Sequence, residues 1–528
     1  MKKRALALVC ASMMLLTACG NNGGDSKKVS DFEFDGYPMK NVEKMSYWVE
    51  LPTNLSILVD NMGKTEFAKE LKERTGVEVE YIHPAAGTAA QSLSLLMTSD
   101  EMPDMIQSSW NSINGGAQKC IDDGVIIPLN DYMEEYAPNL TKYLKEHPEI
   151  DKAIKTDDGT YYAFPFIRGE DKLLVSSGPV YRRDWAKELG FDEAPKTVDE
   201  IETLLKAYKK KGVKNPLTLH PSLIGQFMYN FGVTEGFYYK DGKVTYGALE
   251  KEYKTVVERL NKWYKEGLLD NNYVSNDAAA VKTQVLNGET AMTIAGGGGD
   301  LGVWISSMEA LGKPFDMVGF TNTSLAEVGE KYALNFINNN YPGYGSVAIT
   351  TSCKNPAAAV AYLDYGFGEE GHDLYNFGIE GVSYTVQEDG KRVYTDLIQK
   401  NPDGLSVATA MSYYFMASTC GPFVQDGDYI DGFYAKPNQQ ESLKNWIANM
   451  EYERKNILPT YSLTSEESDE FSSIMTEIYA VAPTERDKFI TGKTSTDDYD
   501  KFIKKLKDLG IERAIEIVQT ACDRYNER

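Results

Sequence analysis

Apolar residues between positions 44 and 106 follow two alternating spacings. Apolar residues at every second position are typical of a strand, whereas apolar residues three and four apart are typical of a helix. Phe67, Ala68 and Leu71 have the helical spacing, and this helix is expected to end at Thr75-Gly76. The predicted elements are strands at residues 44–51, 77–82 and 103–106 and helices at 64–74 and around 93–97. This β-α-β-α-β order predicts a parallel sheet covered by helices.

A second α/β block begins near residue 178. Thr197 and Glu200 have the spacing of a capping box, which predicts a helix N-terminus just before Ile201. Asn355-Pro356 also predicts a helix start, because Asn caps free backbone N–H groups and Pro fits the first turn. Further predicted elements are a turn at 158–159, a helix at 253–263, a strand at 286–295, a strand at 345–350 and a C-terminal helix at 499–509.

The first nineteen residues have the pattern of a secretory leader that ends on a cysteine. A basic start, residues 1–4, precedes an apolar run that is too short to span a bilayer. Leu16-Thr17-Ala18-Cys19 resembles a bacterial lipobox, in which the cysteine thiol receives a diacylglyceryl group before the leader is removed. We therefore expect a lipoprotein signal peptide at 1–18, and a lipid anchor with a flexible polar tether at 19–45. An ordinary secretory leader with an accidental cysteine is the alternative.

Acidic residues outnumber basic ones across the chain. The sequence has 78 acidic and 55 basic residues and a formal net charge of −23. Such a surface repels nucleic acid and anionic lipid head groups, so the charge argues against nucleic-acid binding and leaves the lipid as the only membrane attachment. Cys120, Cys353, Cys420 and Cys522 are far apart, so neither a zinc knuckle nor a disulfide framework is indicated, although one disulfide bond remains possible.

Six segments, in this order, carry a resemblance to a known family. They are residues 70–80, 97–106, 124–130, 158–165, 287–292 and 355–360. Together they resemble the extracellular solute-binding proteins (family 1) of bacterial ABC importers, in particular the lipoprotein branch.

The resemblance implies an α/β, two-lobed, periplasmic-binding-protein-like (type II) fold with a ligand cleft between the lobes. By similarity, one lobe takes residues 46–165 and 340–400, and the other takes 166–335 and 401–528. The implied protein is a monomer without cofactor or enzymatic activity. It captures a carbohydrate outside the cell and delivers it to the transmembrane subunits of an ABC permease.

The chain departs from some relatives at one place. Those relatives carry a calcium-binding loop after the helix that ends here near Lys209. Residues 209–216 of this chain are basic and contain no carboxylate, so the oxygen ligands that calcium needs are missing. We predict no metal ion at that position.

The first candidate ligand contacts lie near predicted strand ends and at the passage between the predicted lobes. Ligands of open α/β sheets bind beyond the carboxyl ends of the strands. Trp48 follows the first strand, and Trp110 and Asn111 follow the third. Trp110 is expected at the cleft rim, where its ring could contact a sugar, while a place in the core is the alternative for both tryptophans. Phe166 and Arg168 lie at the passage between lobes, where Arg168 would pair with a ligand or form an inter-lobe salt bridge.

The remaining candidates belong to loops in the second half of the chain. Gly298 lies in a run of four glycines that would let the backbone approach a ligand, and Asp300 could accept hydroxyl hydrogens. A phosphate-binding loop is not indicated, because no Gly-Lys-Ser/Thr follows the glycines. Tyr341 and Tyr344 occupy a polar, aromatic loop for which a plain surface turn is the alternative. Glu380 lies in a segment that resembles part of the family's cleft.

These residue types suit an oligosaccharide, which has apolar C–H and polar O–H sides. A secreted lipoprotein glycosidase is the enzyme alternative, since 78 acidic residues neither locate nor exclude a catalytic carboxylate pair. Other chemistries lack support, because the chain has no Gly-x-Ser-x-Gly motif and its four histidines are solitary. A receptor of the same fold for a peptide or another non-sugar nutrient also stays open.

Overall fold

A computed structural model describes residues 30–99, 101–323, 337–338, 341, 343 and 345–528. The predicted signal peptide, the lipidation site Cys19 and the candidate Tyr344 lie outside the described residues.

The described chain contains two four-stranded sheets and three two-stranded ones. The strands are β1 (Met45–Trp48), β2 (Val79–Ile82), β3 (Met105–Ser108), β4 (Phe166–Arg168), β5 (Ser177–Arg182), β6 (Asn215–Leu217), β7 (Phe237–Lys240), β8 (Lys243–Tyr246), β9 (Thr290–Gly296), β10 (Met317–Gly319), β11 (Ser346–Ile349), β12 (Tyr384–Val386), β13 (Arg392–Tyr394) and β14 (Phe423–Gln425).

Helices surround these sheets and make up most of the C-terminal third. They are α1 (Thr53–Ser56), α2 (Glu66–Thr75), α3 (Ala89–Leu96), α4 (Gly116–Asp122), α5 (Asn130–Tyr136), α6 (Pro138–Glu146), α7 (Pro148–Ala153), α8 (Arg183–Glu188), α9 (Val198–Lys211), α10 (Ile224–Met228), α11 (Lys251–Lys265), α12 (Ala278–Leu286), α13 (Val303–Ala310), α14 (Pro356–Asp364), α15 (Glu369–Asn376), α16 (Asp396–Gln399), α17 (Val407–Tyr414), α18 (Gly427–Phe433), α19 (Pro437–Trp446), α20 (Met450–Glu453), α21 (Ser465–Thr491), α22 (Tyr499–Asp508) and α23 (Ile511–Glu527).

The first sheet has the strand order β11-β3-β1-β2. β1 pairs in parallel with both β2 and β3, which confirms the predicted β-α-β-α-β unit. β11 is the exception, because it joins the edge of β3 in the antiparallel direction, with Ser346 opposite Ser108. The start of β11 therefore lies at the same edge of the sheet as the end of β3.

The second sheet has the order β10-β5-β9-β6 and mixed directions. β5 is antiparallel to both β9 and β10, whereas β6 is parallel to β9. Each large sheet has its own apolar core: Tyr47, Met105 and Val347 belong to the first, and Tyr181 and Met292 belong to the second.

Residues 416–423 illustrate how the chain crosses between these cores. The predicted division assigns them to the second lobe, but Met416, Cys420 and Phe423 pack in the core of the first sheet. β14, which begins at Phe423, pairs in parallel with β4. The division of the chain into lobes stays a prediction, and this packing corrects the assignment of one segment.

Helix ends follow the sequence signals. Thr65 caps α2, which ends at Gly76 in a left-handed conformation with φ of 74°. Thr197 and Glu200 form the predicted capping box of α9, and the Asn355 side chain accepts the Ala358 N–H at the start of α14. The predicted helix end at Gly76, the capping box of α9 and the Asn355 cap are confirmed, whereas the Thr65 cap was not predicted.

The four cysteines among the described residues are buried and form no disulfide bond with one another, so the bond that the sequence left open does not form in this structure. Among the described helices, none combines the length and apolar composition needed to cross a membrane.

Candidate functional site

A cavity of about 1040 Å³ lies beyond the carboxyl ends of β1 and β3. Residues 48–54 and 107–109, which continue these two strands, form one side of it. The rest comes from parts of the segments 89–98 around α3, 112–125 around α4 and 416–420, together with Met62 and Gly345. The strand ends of the first sheet therefore point into this cavity, as expected for a ligand site in an open α/β fold.

Neutral polar side chains are the commonest hydrogen-bonding groups of the cavity. They are Thr53, Asn54, Ser94, Thr98, Gln107, Ser108, Ser109, Ser112, Asn114, Ser418 and Thr419. Gln107 is held in place from two sides, because the Tyr47 hydroxyl donates to its Oε1 at 2.6 Å and its Nε2 donates to Cys420 Sγ at 3.3 Å. Such hydroxyl and amide groups can donate to and accept from a polyhydroxylated ligand.

Apolar side chains line the remaining surface. Leu51, Met62, Leu93, Met97 and Met416 all contribute. Methionine side chains adapt to irregular apolar surfaces, so this part of the cavity can contact C–H groups of different ligands.

Charged groups of the cavity are few and largely balanced. Lys119 pairs with Asp123 at 2.8 Å along α4, and Glu50 is exposed. Burial raises the pKa of the Cys120 thiol to about 11, so the thiol stays protonated at neutral pH. A protonated thiol is a poor nucleophile, so Cys120 is not suited to attack a ligand.

Gly345 allows residues 416–420 to approach the start of β11. Its φ is +90°, which favours glycine, and a Cβ at this position would lie 2.5 Å from Cys420 Cβ. A side chain here would force apart the two segments that bring Cys420 beside Gln107.

The tryptophan candidates lie deeper than the sequence analysis expected. Trp48 lines the cavity but is only 6% exposed. Trp110 is fully buried in an apolar cluster with Ile106, so the rim position predicted for it is wrong and the core alternative holds. Asn111 lines a different cavity, of about 220 Å³, together with residues 460–465.

Phe166 and Arg168 occupy different environments on the short strand β4. Phe166 is buried and packs against Phe423. The Arg168 guanidinium lies 4.9 Å from the centre of the Phe166 ring, and burial lowers its pKa. Across the described positions, Arg168 forms no inter-lobe salt bridge.

The glycine run at 296–299 folds against protein groups. Residues 297–302 form a short π-helix, and a Cβ on Gly298 would lie 2.3 Å from the Phe433 ring. Asp300 Oδ2 accepts the Gly296 N–H at 2.8 Å and lines a cavity of about 190 Å³ beside His220. The close approach that Gly298 permits is therefore to an aromatic ring of the protein, and contact of either residue with a ligand stays a prediction.

Tyr341 and Glu380 also lie away from the large cavity. Tyr341 packs against both the first-sheet core and a cluster that contains Trp446, so it lies between the two halves of the protein. Glu380 is exposed, and its backbone bridges to Tyr384. Of the described candidates, Trp48 alone lines the 1040 Å³ cavity.

Two groups of cavity residues were not predicted from the sequence. Gln107, Ser108 and Ser109 directly follow the predicted third strand, so the strand-end rule could have found them. Residues 416–420 had no local signal, because only the packing of a distant segment brings them to the cavity.

Residues 209–216, at and after the end of α9, do not fit a calcium ion. The Lys209 ammonium donates to the Glu266 carbonyl, and Lys211 pairs with Glu188. Within the described ranges, no cluster of three His, Cys, Asp or Glu side chains could hold a metal.

Comparison with known proteins identifies the family. The profile described as "Bacterial extracellular solute-binding protein" matches residues 61–373, which is more than half of the chain. The chain belongs to this family. The suspected resemblance is therefore confirmed.

Two known proteins are similar to this chain in sequence. The fructooligosaccharide ABC transporter substrate-binding protein FusA of Streptococcus pneumoniae serotype 4 is 26% identical over 299 residues, which are 52% of this chain and 54% of FusA. The match thus spans about half the length of FusA. Lipoprotein LipO of Bacillus subtilis is 23% identical over 371 residues, 67% of this chain and 70% of LipO.

Solved structures of solute-binding proteins share the fold. The alginate-binding protein AlgQ2, solved without calcium ion, superposes with a TM-score of 0.72 at 24% identity and covers 91% of this chain and 99% of its own. This likeness confirms the predicted α/β, two-lobed solute-binding-protein fold.

Proposed function

We propose that this protein is a lipid-anchored extracellular solute-binding protein that captures an oligosaccharide and delivers it to an ABC permease. The observation that carries the proposal is the 1040 Å³ cavity at the carboxyl edge of the first sheet. Its hydroxyl and amide groups suit sugar hydroxyls, and its Leu and Met side chains suit the C–H face of a sugar ring.

The relatives support the same ligand class. FusA is described as a fructooligosaccharide-binding protein of an ABC transporter, and AlgQ2 as an alginate-binding protein. A ligand that contacts both halves of such a fold stabilises only the closed arrangement, so binding and closure are coupled. Release of the unchanged ligand to the permease then requires reopening.

The test is binding without turnover. Purified protein is titrated with fructo-, galacto-, xylo- and uronic-acid oligosaccharides, and thermal shift and calorimetry report binding while chromatography of the same samples reports products. We expect at least one oligosaccharide to bind and remain intact. Product formation would favour the glycosidase, and binding of peptides alone would favour the peptide receptor.

The lipid anchor is tested separately. We expect the Cys19→Ser variant to lose incorporation of labelled palmitate and to appear in the culture medium, while Cys10→Ser stays with the cells. A Cys19→Ser protein that remains on the cell surface would contradict the proposed anchor. The permease is the proposed partner, and the protein is proposed to act as a monomer.

A further inference from the structure

Arg168 differs from the other arginines of the described chain. Ten of the eleven arginines at described positions form an ion pair with an acidic side chain. Arg168 forms no ion pair and donates no side-chain hydrogen bond to another residue of the described chain. The centre of the Phe166 ring lies 4.9 Å from the Arg168 guanidinium. The ring attracts the cation, but it offers no oxygen to accept hydrogen bonds from the five N–H groups of the guanidinium.

The surroundings of Arg168 make the lack of an acidic partner among the described residues costly. The residue is largely covered, and its burial lowers the pKa of the guanidinium. A desolvated cation without an acceptor destabilises the folded state. An anionic ligand group would replace the water that the side chain has lost.

Arg168 lies near the large cavity and between the two halves of the protein. Arg168 does not itself line the cavity, but Cys420, which lines it, and Tyr341, which packs against the cores of both halves, are close enough to influence its pKa, as is Tyr429. β4, which ends at Arg168, is paired with β14, the strand that follows the cavity segment 416–420. A ligand that extends from the cavity toward Tyr341 would bring a substituent to the guanidinium.

We propose that Arg168 binds a carboxylate of the ligand, which makes the ligand an acidic oligosaccharide. The proposal rests on the oligosaccharide-binding function proposed above and specifies its ligand class. A guanidinium donates two parallel hydrogen bonds to one carboxylate. The other charges of the cavity are Glu50 and the Lys119–Asp123 pair, so nothing there attracts further anionic groups. The site therefore selects for one carboxylate at one position rather than for a polyanion.

The experiment compares acidic oligosaccharides with matched neutral ones. The probes are sialyllactose against lactose and glucuronosyl-xylobiose against xylotriose, and the acidic member of each pair carries one carboxylate. We expect the tightest ligand of the panel to carry a carboxylate and to bind at least tenfold more tightly than its neutral partner. A tightest ligand that is neutral would overturn the acidic class and leave the proposed function intact. A panel in which nothing binds would count against both.

Variants of the arginine test the contact itself. We expect Arg168→Gln to lower the affinity for the acidic ligand at least tenfold and to change the affinity for its neutral partner by less than twofold. The affinity of Arg168→Lys for the acidic ligand should lie between those of wild type and Arg168→Gln. Arg513→Gln removes an exposed arginine that pairs with Glu470 and serves as the control for loss of one positive charge. The melting temperatures of the variants and of wild type, measured without ligand, show whether each variant is folded. Equal affinity of wild type and Arg168→Gln for the acidic ligand would refute the proposal.

Discussion

At the residue scale, His372 carries the clearest link between charge and stability. Its Nδ1 lies 3.2 Å from Asp373 and its Nε2 lies 3.3 Å from Asp426, and Arg392 also pairs with Asp373. Burial opposes the positive charge of His372, but the hydrogen bonds to the two carboxylates outweigh it and raise the pKa to about 9. The imidazolium joins α15 to the N-terminus of α18, where Asp426 is the cap.

This network predicts a pH-dependent stability. Because the pKa of His372 is higher in the folded state than its ordinary value of 6.5, the stabilisation is complete below pH 6.5 and is lost as the pH rises to about 9. We expect the stability difference between wild type and His372→Gln to shrink by about 3 kcal/mol over that interval in urea titrations. His147→Gln, at a more exposed histidine, is the control. A difference independent of pH would contradict the charged state of His372.

At the element scale, α9 shows how a local signal determines a helix end. The Thr197 hydroxyl accepts the Glu200 N–H at 3.2 Å, and the Glu200 carboxylate accepts the Thr197 N–H at 3.3 Å. The helix buries Ile201, Leu204 and Tyr208 in the second core. The capping box therefore determines where the helix begins, and the apolar face determines how the helix packs on the second core.

We expect Thr197→Ala to lower the free energy of unfolding by about 1 kcal/mol, because a helix N–H loses its acceptor. Thr203→Ala is the matched control. It lies on the exposed side of the same helix, where its hydroxyl only donates to the Asp199 carbonyl. Chemical denaturation of both variants checks the prediction, and equal losses at the two positions would contradict it.

The C-terminal end of α9 predicts that calcium does not change the stability of the protein. Lys209, Lys210 and Lys211 occupy the last turn, and the helix ends at Gly212. Ammonium groups repel a divalent cation, and calcium requires several oxygen ligands. We expect the melting temperature to be the same in calcium chloride and in EGTA. A stoichiometric calcium ion with a rise in melting temperature would contradict this expectation.

At the scale of the whole molecule, the C-terminal helix α23 holds distant segments together. Asp157 accepts hydrogen bonds from Arg524 Nε at 3.1 Å and Arg528 Nε at 3.0 Å. Arg524 also donates to Glu467 at 2.6 Å. These contacts connect the hairpin after α7 with the helices of the C-terminal third, which belong to different predicted lobes.

We expect Asp157→Asn to destabilise the protein by about 1–3 kcal/mol, because the largely covered guanidinium of Arg528 loses its counterion. Asp158→Asn changes the adjacent, exposed carboxylate and is the control. Thermal and urea unfolding measure the effect. Identical stability of the two variants would show that the ion pairs across this contact contribute little.

The parts of the fold that the sequence predicted correctly depend on neighbours in the chain. Gly76, Thr197 and Asn355 end or begin helices through bonds to residues within four positions. The alternation in β2 and the helical spacing of α2 are equally local. Such signals act before any distant segment is in place, so one sequence was enough to read them.

The cavity was predicted less well because its residues come from segments that are distant in the chain. Gln107 and Cys420 are 313 positions apart and meet through a hydrogen bond that no local pattern indicates. Trp110 is covered by groups such as Ile126 and Ala348, so its polar sequence neighbours gave no guide to its burial. The antiparallel direction of β11 likewise depends on where the chain returns to the sheet.

By itself, the sequence determined the acidic charge, the leader pattern, the helix ends, the first β-α-β-α-β unit and the family, because each is carried by composition or by short segments. Only the tertiary structure decided which strand ends and distant loops line the cavity, that Trp110 is core, and that Arg168 has no partner in the described chain. Burial and ion pairing depend on the distances between residues that the chain separates by hundreds of positions, and folding alone sets those distances.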